Sequence, residues 1–196
     1  MALLNRRTVL GGAVLCVTAV AAGATLVGTF SARKPAEDDA TMDPEAMRPL
    51  SDIVKLDPAE TLPPINFKTL DGADVTLAKF KGRPVVLNFW ATWCGPCVKE
   101  MPELDRLASA QGPGGIAVLA VSADHGGAAV VRPFVAAHGI DHATILLDAG
   151  SDAVHALRLN GFPTTLIIDR DGKLRGRLEG PAAWGQAAGP VRRLTG

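Results

Sequence analysis

The chain has 196 residues, and its 20 Lys and Arg are balanced by 20 Asp and Glu. A formal net charge of zero excludes the basic footprint of a nucleic-acid binder and argues against a strongly charged substrate. The length suits one membrane or targeting segment followed by one domain of common size.

From the N-terminus, residues 1–7 carry Arg6 and Arg7, and Thr8 to Phe30 then run without a charge, rich in Ala, Val, Leu and Gly. At a rise of ~1.5 Å per residue, such a run spans the ~30 Å hydrocarbon core of a bilayer. Residues 1–30 therefore read as an N-terminal transmembrane anchor or signal segment. Ala22-Gly23-Ala24 offers a small-residue cleavage pattern as the alternative to an uncleaved anchor. Basic residues flank both ends (Arg6 and Arg7, Arg33 and Lys34), and the short N-terminal tail favours an inside tail with the domain exported. Asn5 to Leu10 is loosely similar to a twin-arginine signal. Cys16 lies in the apolar run and reads as a small buried residue.

Residues 31–61 are rich in Pro, Asp, Glu and Ala with no sustained apolar period, and read as a flexible linker. The domain is expected over 62–196. Ile65-Asn66-Phe67 and Val75-Thr76-Leu77 bracket Asp71-Gly72, a hairpin pattern. Pro84 to Trp90 is almost wholly apolar, as a strand covered on both faces would be. Cys97 to about Ala110 shows helical periodicity, with Pro102 expected to kink or break it. Ile116 to Val121 reads as a second buried strand, Ala128 to His138 as a helix closed by Gly139, and Thr144 to Leu147 as a short strand. A short helix over Asp152 to Leu159 follows. Thr164 to Ile168 and Lys173 to Leu178 flank Asp169 to Gly172 as an antiparallel hairpin, and a last helix is expected from Pro181, at its first position, to Leu194. Alternating strands and helices ending in a hairpin describe an α/β fold, a mixed central sheet with helices on both faces.

The chemistry concentrates in Trp93-Cys94-Gly95-Pro96-Cys97, at the junction of a buried strand and a helix. The first amides of a helix lack internal partners and carry partial positive charge, so a thiolate is favoured there. Such a site lowers a cysteine pKa from ~8.5 to around 7 or below, and the thiolate is the form that attacks disulfides. Cys97, one turn on, is placed to close an intramolecular disulfide and to resolve a mixed one. Zinc also uses C-x-x-C but needs about four ligands. No second cysteine pair exists, and His125, His138, His142 and His155 show no pair spacing. The pattern does not decide between a cytosolic and an exported domain.

Asn88 to Cys97 followed by Glu100-Met101-Pro102 resembles the thioredoxin superfamily, and most closely the membrane-anchored TlpA-like thiol:disulfide oxidoreductases of bacteria. Asp71 to Gly82, Gly161-Phe162-Pro163-Thr164, Asp169 to Gly172 and Glu179 to Trp184 extend the match over the whole of 62–196. The resemblance implies a thioredoxin-like fold, with Cys94 as exposed nucleophile and Cys97 as buried resolving cysteine. It implies a cis bond before Pro163 opposite the dithiol, and a substrate-binding surface of Trp93, Phe162 and Pro163 where a target segment pairs like an added strand. Asn88 stands where many thioredoxins keep a buried aspartate. Glu100, one turn after Cys97, is expected to tune the cysteines or relay a proton in its place.

The expected activity is disulfide reduction in the periplasm, from a single-pass anchor in the inner membrane, with no cofactor beyond a redox-active Cys94–Cys97 disulfide. Gly95-Pro96 puts no cationic side chain between the cysteines, which favours an electron donor over an acceptor. Partners implied by the family are Sco-type copper chaperones, cytochrome oxidase subunit II or apocytochrome c, with a membrane protein that re-reduces the pair. Two other readings compete. A peroxidase would want Thr or Ser where Ala91 stands and Pro where Leu87 stands. A copper chaperone would suit the thiolates but finds no methionine or histidine at suitable spacing.

Overall fold

A computed structural model of the chain describes residues 47–196. The anchor predicted over 1–30, with Cys16, and the linker up to residue 46 lie outside the described residues. Among the described residues no helix is long and apolar enough to cross a membrane.

One eight-stranded sheet organises the domain, in the order β1-β8-β7-β4-β5-β6-β2-β3. The strands are β1 (Val54–Thr61), β2 (Asn66–Thr69), β3 (Asp74–Thr76), β4 (Val85–Trp90), β5 (Ala117–Ser122), β6 (Thr144–Leu147), β7 (Thr164–Ile168) and β8 (Lys173–Glu179). β4, β5 and β6 run parallel to their neighbours in that order, and every other pairing is antiparallel. The sheet is therefore mixed, as expected. Four helices pack on it: α1 (Gly95–Ser109), α2 (Ala128–Ala137), α3 (Asp152–Ala156) and α4 (Ala188–Thr195).

β4 is buried along its whole length, and its side chains alternate between two cores. Val86 and Trp90 join Met101 and Leu104 of α1, Val131 and Val135 of α2 and Val191 of α4 on one face. Val85, Leu87 and Phe89 join Phe67, Leu119, Leu166 and Ala153 of α3 on the other. Helices thus cover both faces, three against one. Both sharp hairpins turn on a glycine with φ above zero, Gly72 at 86° and Gly172 at 82°, a conformation that costs a residue with a Cβ.

Three expectations need correction. Residues 54–61 are not linker: they form β1, the edge strand beside β8, preceded by a 3₁₀ turn at Leu50–Asp52 that buries Leu50 and leads into the buried Ile53. β1 escapes pattern reading because none of its residues is buried, Val54 is 63% exposed, Pro58 interrupts it and its register shifts between Lys55 and Glu60. Edge strands tolerate such features because one row of backbone groups has no neighbour to satisfy. Second, Pro102 does not break α1, which continues on both sides of it. Third, Pro181 does not start the last helix. Residues 181–187 are a loop whose backbone is engaged elsewhere: Pro181 O accepts from Arg48 N (2.8 Å) and Ala183 N donates to Arg48 O (3.1 Å). α4 begins only at Ala188.

Candidate active site

The all-apolar β4 ends at Trp90, and the chain turns through Ala91, Thr92 and Trp93 into α1. Cys94 is the N-cap: its N–H donates to Ala91 O (3.1 Å) and its sulfur accepts from Cys97 N (3.3 Å). Gly95 and Pro96 fill the first helical positions, where a proline's missing N–H costs nothing. Cys94 and Cys97 are joined as a disulfide. Cys97 is fully buried, and Cys94 is only 6% exposed, so in the disulfide form the expected exposed nucleophile is nearly covered. Attack on this bond can therefore come only from the Cys94 side.

The Phe162–Pro163 peptide bond is cis, as expected. Phe162 meets Trp93 edge-on at 5.9 Å, which joins the β7 approach to the dithiol loop, and Trp93 itself is 70% exposed. A small cleft of about 170 Å³ beside them is lined by Asn160, Gly161, Phe162, Pro163, Glu179 and Gly180. The surface at the dithiol is thus shallow and carries an exposed aromatic ring, a shape suited to an extended protein segment rather than to an enclosed small molecule. A wider groove of about 910 Å³, between Leu50, Ile53 and α4, includes neither cysteine.

Behind the dithiol lies a buried polar cluster. Glu100 is fully buried. Its Oε1 accepts from Asn88 Nδ2 (2.8 Å), and its Oε2 accepts from Ala182 N (2.9 Å) and Trp184 Nε1 (3.2 Å). Burial pushes its carboxyl up from 4.5 to about 7, against the lowering effect of the Ala182, Asn88 and Trp184 donors and with help from the nearby Glu103 charge. Glu103 in turn accepts from Trp184 N (2.8 Å). Asn88 also donates to Thr165 Oγ1 (3.0 Å), its register neighbour on β7, while its own Oδ1 is buried without a partner.

Helical spacing alone makes Glu100 an ordinary solvated glutamate. What hides the carboxyl is the 181–187 loop, which the sequence reading assigned to a helix. Trp184 was legible only as part of the family-like stretch Glu179 to Trp184, and its indole contact with Glu100 carried no signal of its own. Among the described residues no group of three or more metal-ligating side chains is assembled. The arrangement is suited to exchanging electrons through a sulfur–sulfur bond, with a carboxyl near neutrality one turn beyond the inner sulfur.

A family model described as Redoxin matches residues 57–188. Thiol-disulfide oxidoreductase ResA of Bacillus thuringiensis is 33% identical over 126 residues, covering 64% of this chain and 72% of the relative. Among solved structures, a thiol:disulfide interchange protein DsbE from Chlorobium tepidum superposes with a TM-score of 0.63 at 25% identity, covering 74% of this chain and 99% of that one. A secreted disulfide oxidoreductase of Mycobacterium tuberculosis, homologous to DsbE of E. coli, gives 0.56 at 25% identity, covering 66% and 95%.

Proposed function

The chain belongs to the redoxin family and is a thiol:disulfide oxidoreductase of the TlpA-like thioredoxin type, and from that premise we propose that it acts as a reductase in the bacterial periplasm, held to the inner membrane by residues 1–30. The location rests on the uncharged run Thr8 to Phe30 and agrees with the description of the mycobacterial relative as secreted. The observation that carries the chemistry is the Cys94–Cys97 pair capping α1, with a buried carboxyl one turn beyond it.

In the proposed cycle the Cys94 thiolate attacks one sulfur of a target disulfide. That bond breaks, the Cys94–target bond forms, and the second target sulfur leaves as a thiolate and takes a proton. Glu100, near neutrality, accepts the Cys97 proton as Cys97 attacks Cys94 Sγ. The intramolecular disulfide closes and the target leaves with both thiols, having gained two electrons. No cofactor beyond the cysteine pair takes part. A membrane-held dithiol donor returns the pair by the reverse exchange, because the periplasm is kept oxidising. Trp93, Phe162 and Pro163 hold the target segment.

The targets are disulfide-containing proteins of respiratory-chain assembly: a Sco-type copper chaperone, cytochrome oxidase subunit II or apocytochrome c. Cys97→Ser in the full chain removes the resolving sulfur, so the target is expected to remain on Cys94 as a reducible mixed disulfide that mass spectrometry identifies. Cys97→Ser protein that captures no disulfide-bonded target, together with wild-type protein that does not reduce insulin, refutes the reductase reading. So does a potential as high as the ~−120 mV of strong oxidases.

A further inference from the structure

The loop that presents Cys94 is held from the neighbouring strand by one carboxylate. Asp124, two residues beyond β5, is 4% exposed. Its Oδ2 accepts from Thr92 N (2.9 Å) and from the Ser122 hydroxyl (2.7 Å), and its Oδ1 accepts from the Thr92 hydroxyl (2.7 Å). Its own N–H donates to Ser122 Oγ (3.0 Å), and Ala123 N donates to Trp90 O (2.9 Å). Thr92 sits inside the turn closed by the Cys94 N–H and Ala91 O, so Asp124 grips the middle of the turn that ends on the nucleophile. All of these acceptor roles belong to an ionised carboxylate, and every donor to it is a neutral group.

We propose that Asp124 is a positioning residue that also sets the redox character of the pair: it fixes the Ala91–Trp93 turn and its buried negative charge disfavours the Cys94 thiolate, which keeps the dithiol a good electron donor. The helix N-terminus acts the other way, favouring the thiolate. The remaining titratable groups of α1 near the pair are Cys97 and the buried Glu100, while Lys99 is exposed. β4 and β7 present Asn88, Trp90, Thr164 and Thr165, all neutral. His125, next to Asp124, turns its Nδ1 to Ala149 O (3.0 Å). The Asp124 carboxylate is bound to both the N–H and the hydroxyl of Thr92, two residues before Cys94. At an effective dielectric constant of about 20, one charge at about 10 Å changes a thiolate-to-thiol ratio by on the order of tenfold.

Two substitutions in the full chain separate charge from scaffold. Asp124→Asn retains the network, because the amide oxygen accepts from Thr92 N and Ser122 while the amide nitrogen donates to the Thr92 hydroxyl; only the charge is lost. Thr92→Val retains the charge and removes one donor that offsets it. The readout is the pH dependence of Cys94 alkylation in reduced protein, followed by the mass of the Cys94 peptide. Asp124→Asn is expected to move the Cys94 titration to lower pH, by on the order of tenfold in thiolate ratio, and Thr92→Val to move it to higher pH. At about pH 9, where the thiolate is populated, the exchange of protein disulfide with two glutathiones should shift toward reduced protein by a similar factor in Asp124→Asn. Loosening of the turn alone would move both variants the same way; that result, or an unshifted Asp124→Asn titration, overturns the proposal. If Asp124→Asn yields no folded protein, Thr92→Val decides: a shift to higher pH supports the proposal and any other result refutes it. The proposal rests on the reductase reading, and the two fail differently: that reading fails on the wild-type potential and this one on the variants' titrations.

Discussion

Glu100→Gln tests how the buried carboxyl is held and what it does to stability. The rise from 4.5 to about 7 means that the folded protein keeps a proton in this window which the unfolded chain has released. Wild-type stability therefore falls as pH rises: the contribution is complete below about 4.5 and is lost above about 7. The shift corresponds to about 3 kcal/mol between those limits. Glutamine has no such titration and can keep the same contacts. Its oxygen accepts from Ala182 N and Trp184 Nε1, and its nitrogen donates to Asn88 Oδ1 after a half-turn of that amide, with the Thr165 hydroxyl then donating to Oδ1 in place of accepting from Nδ2. Urea unfolding of the disulfide form, run from about pH 4 to pH 8 at fixed salt, isolates the effect. The stability of Glu100→Gln minus that of the wild type should rise by about 3 kcal/mol across the series. Parallel curves would show that Glu100 titrates as an ordinary carboxylate, and the proton-relay role assigned to it would lose its physical basis.

Further substitutions probe the frame and the docking surface. Gly176→Ala on β8 would place its Cβ 2.6 Å from Ile53 Cγ2, against the turn that leads into β1, and is expected to cost about 1–3 kcal/mol in urea unfolding. Trp93→Ala removes an exposed ring whose edge-on contact is with Phe162, so stability should change by about 1 kcal/mol or less. KM for a protein disulfide should rise several-fold while the rate with a small disulfide stays unchanged; equal losses on both would place Trp93 in the sulfur chemistry instead.

The central strands and the dithiol were legible because their signals are local. β4 and β5 are apolar on both faces, two Asp-Gly turns mark the hairpins, and C-x-x-C sits where a buried strand meets a helix. The reading failed where long-range contacts decide. β1 has no apolar alternation, since β8 supplies its order from more than a hundred residues away. Residues 181–187 carry an N1-type proline and small residues suited to a helix, but Glu100, Glu103 and Arg48 take up the backbone groups of residues 181–184. Glu100 shows the same limit: its spacing from Cys97 is readable, whereas its burial depends on that loop. Asp124 reads as a polar residue after a strand, and its grip on Thr92 exists only because β4 and β5 lie side by side.

Arg48, near the start of the described chain, bonds through its backbone to Pro181 and Ala183, on either side of the residue whose N–H reaches Glu100. A domain held by its N-terminal end carries tension at that end. If residues 1–30 hold the domain to a membrane as proposed, those two are the first bonds of the described residues to bear that tension, and a pull on the N-terminal end arrives at the seat of the buried acid before it reaches any strand of the central sheet. Trimming the chain back to Leu62 would remove the same two bonds together with β1, leaving the acid's loop slack and the long edge of β8 open to pairing with another molecule. The stretch that looked like a passive spacer is, from Arg48 onward, part of the housing of the redox centre.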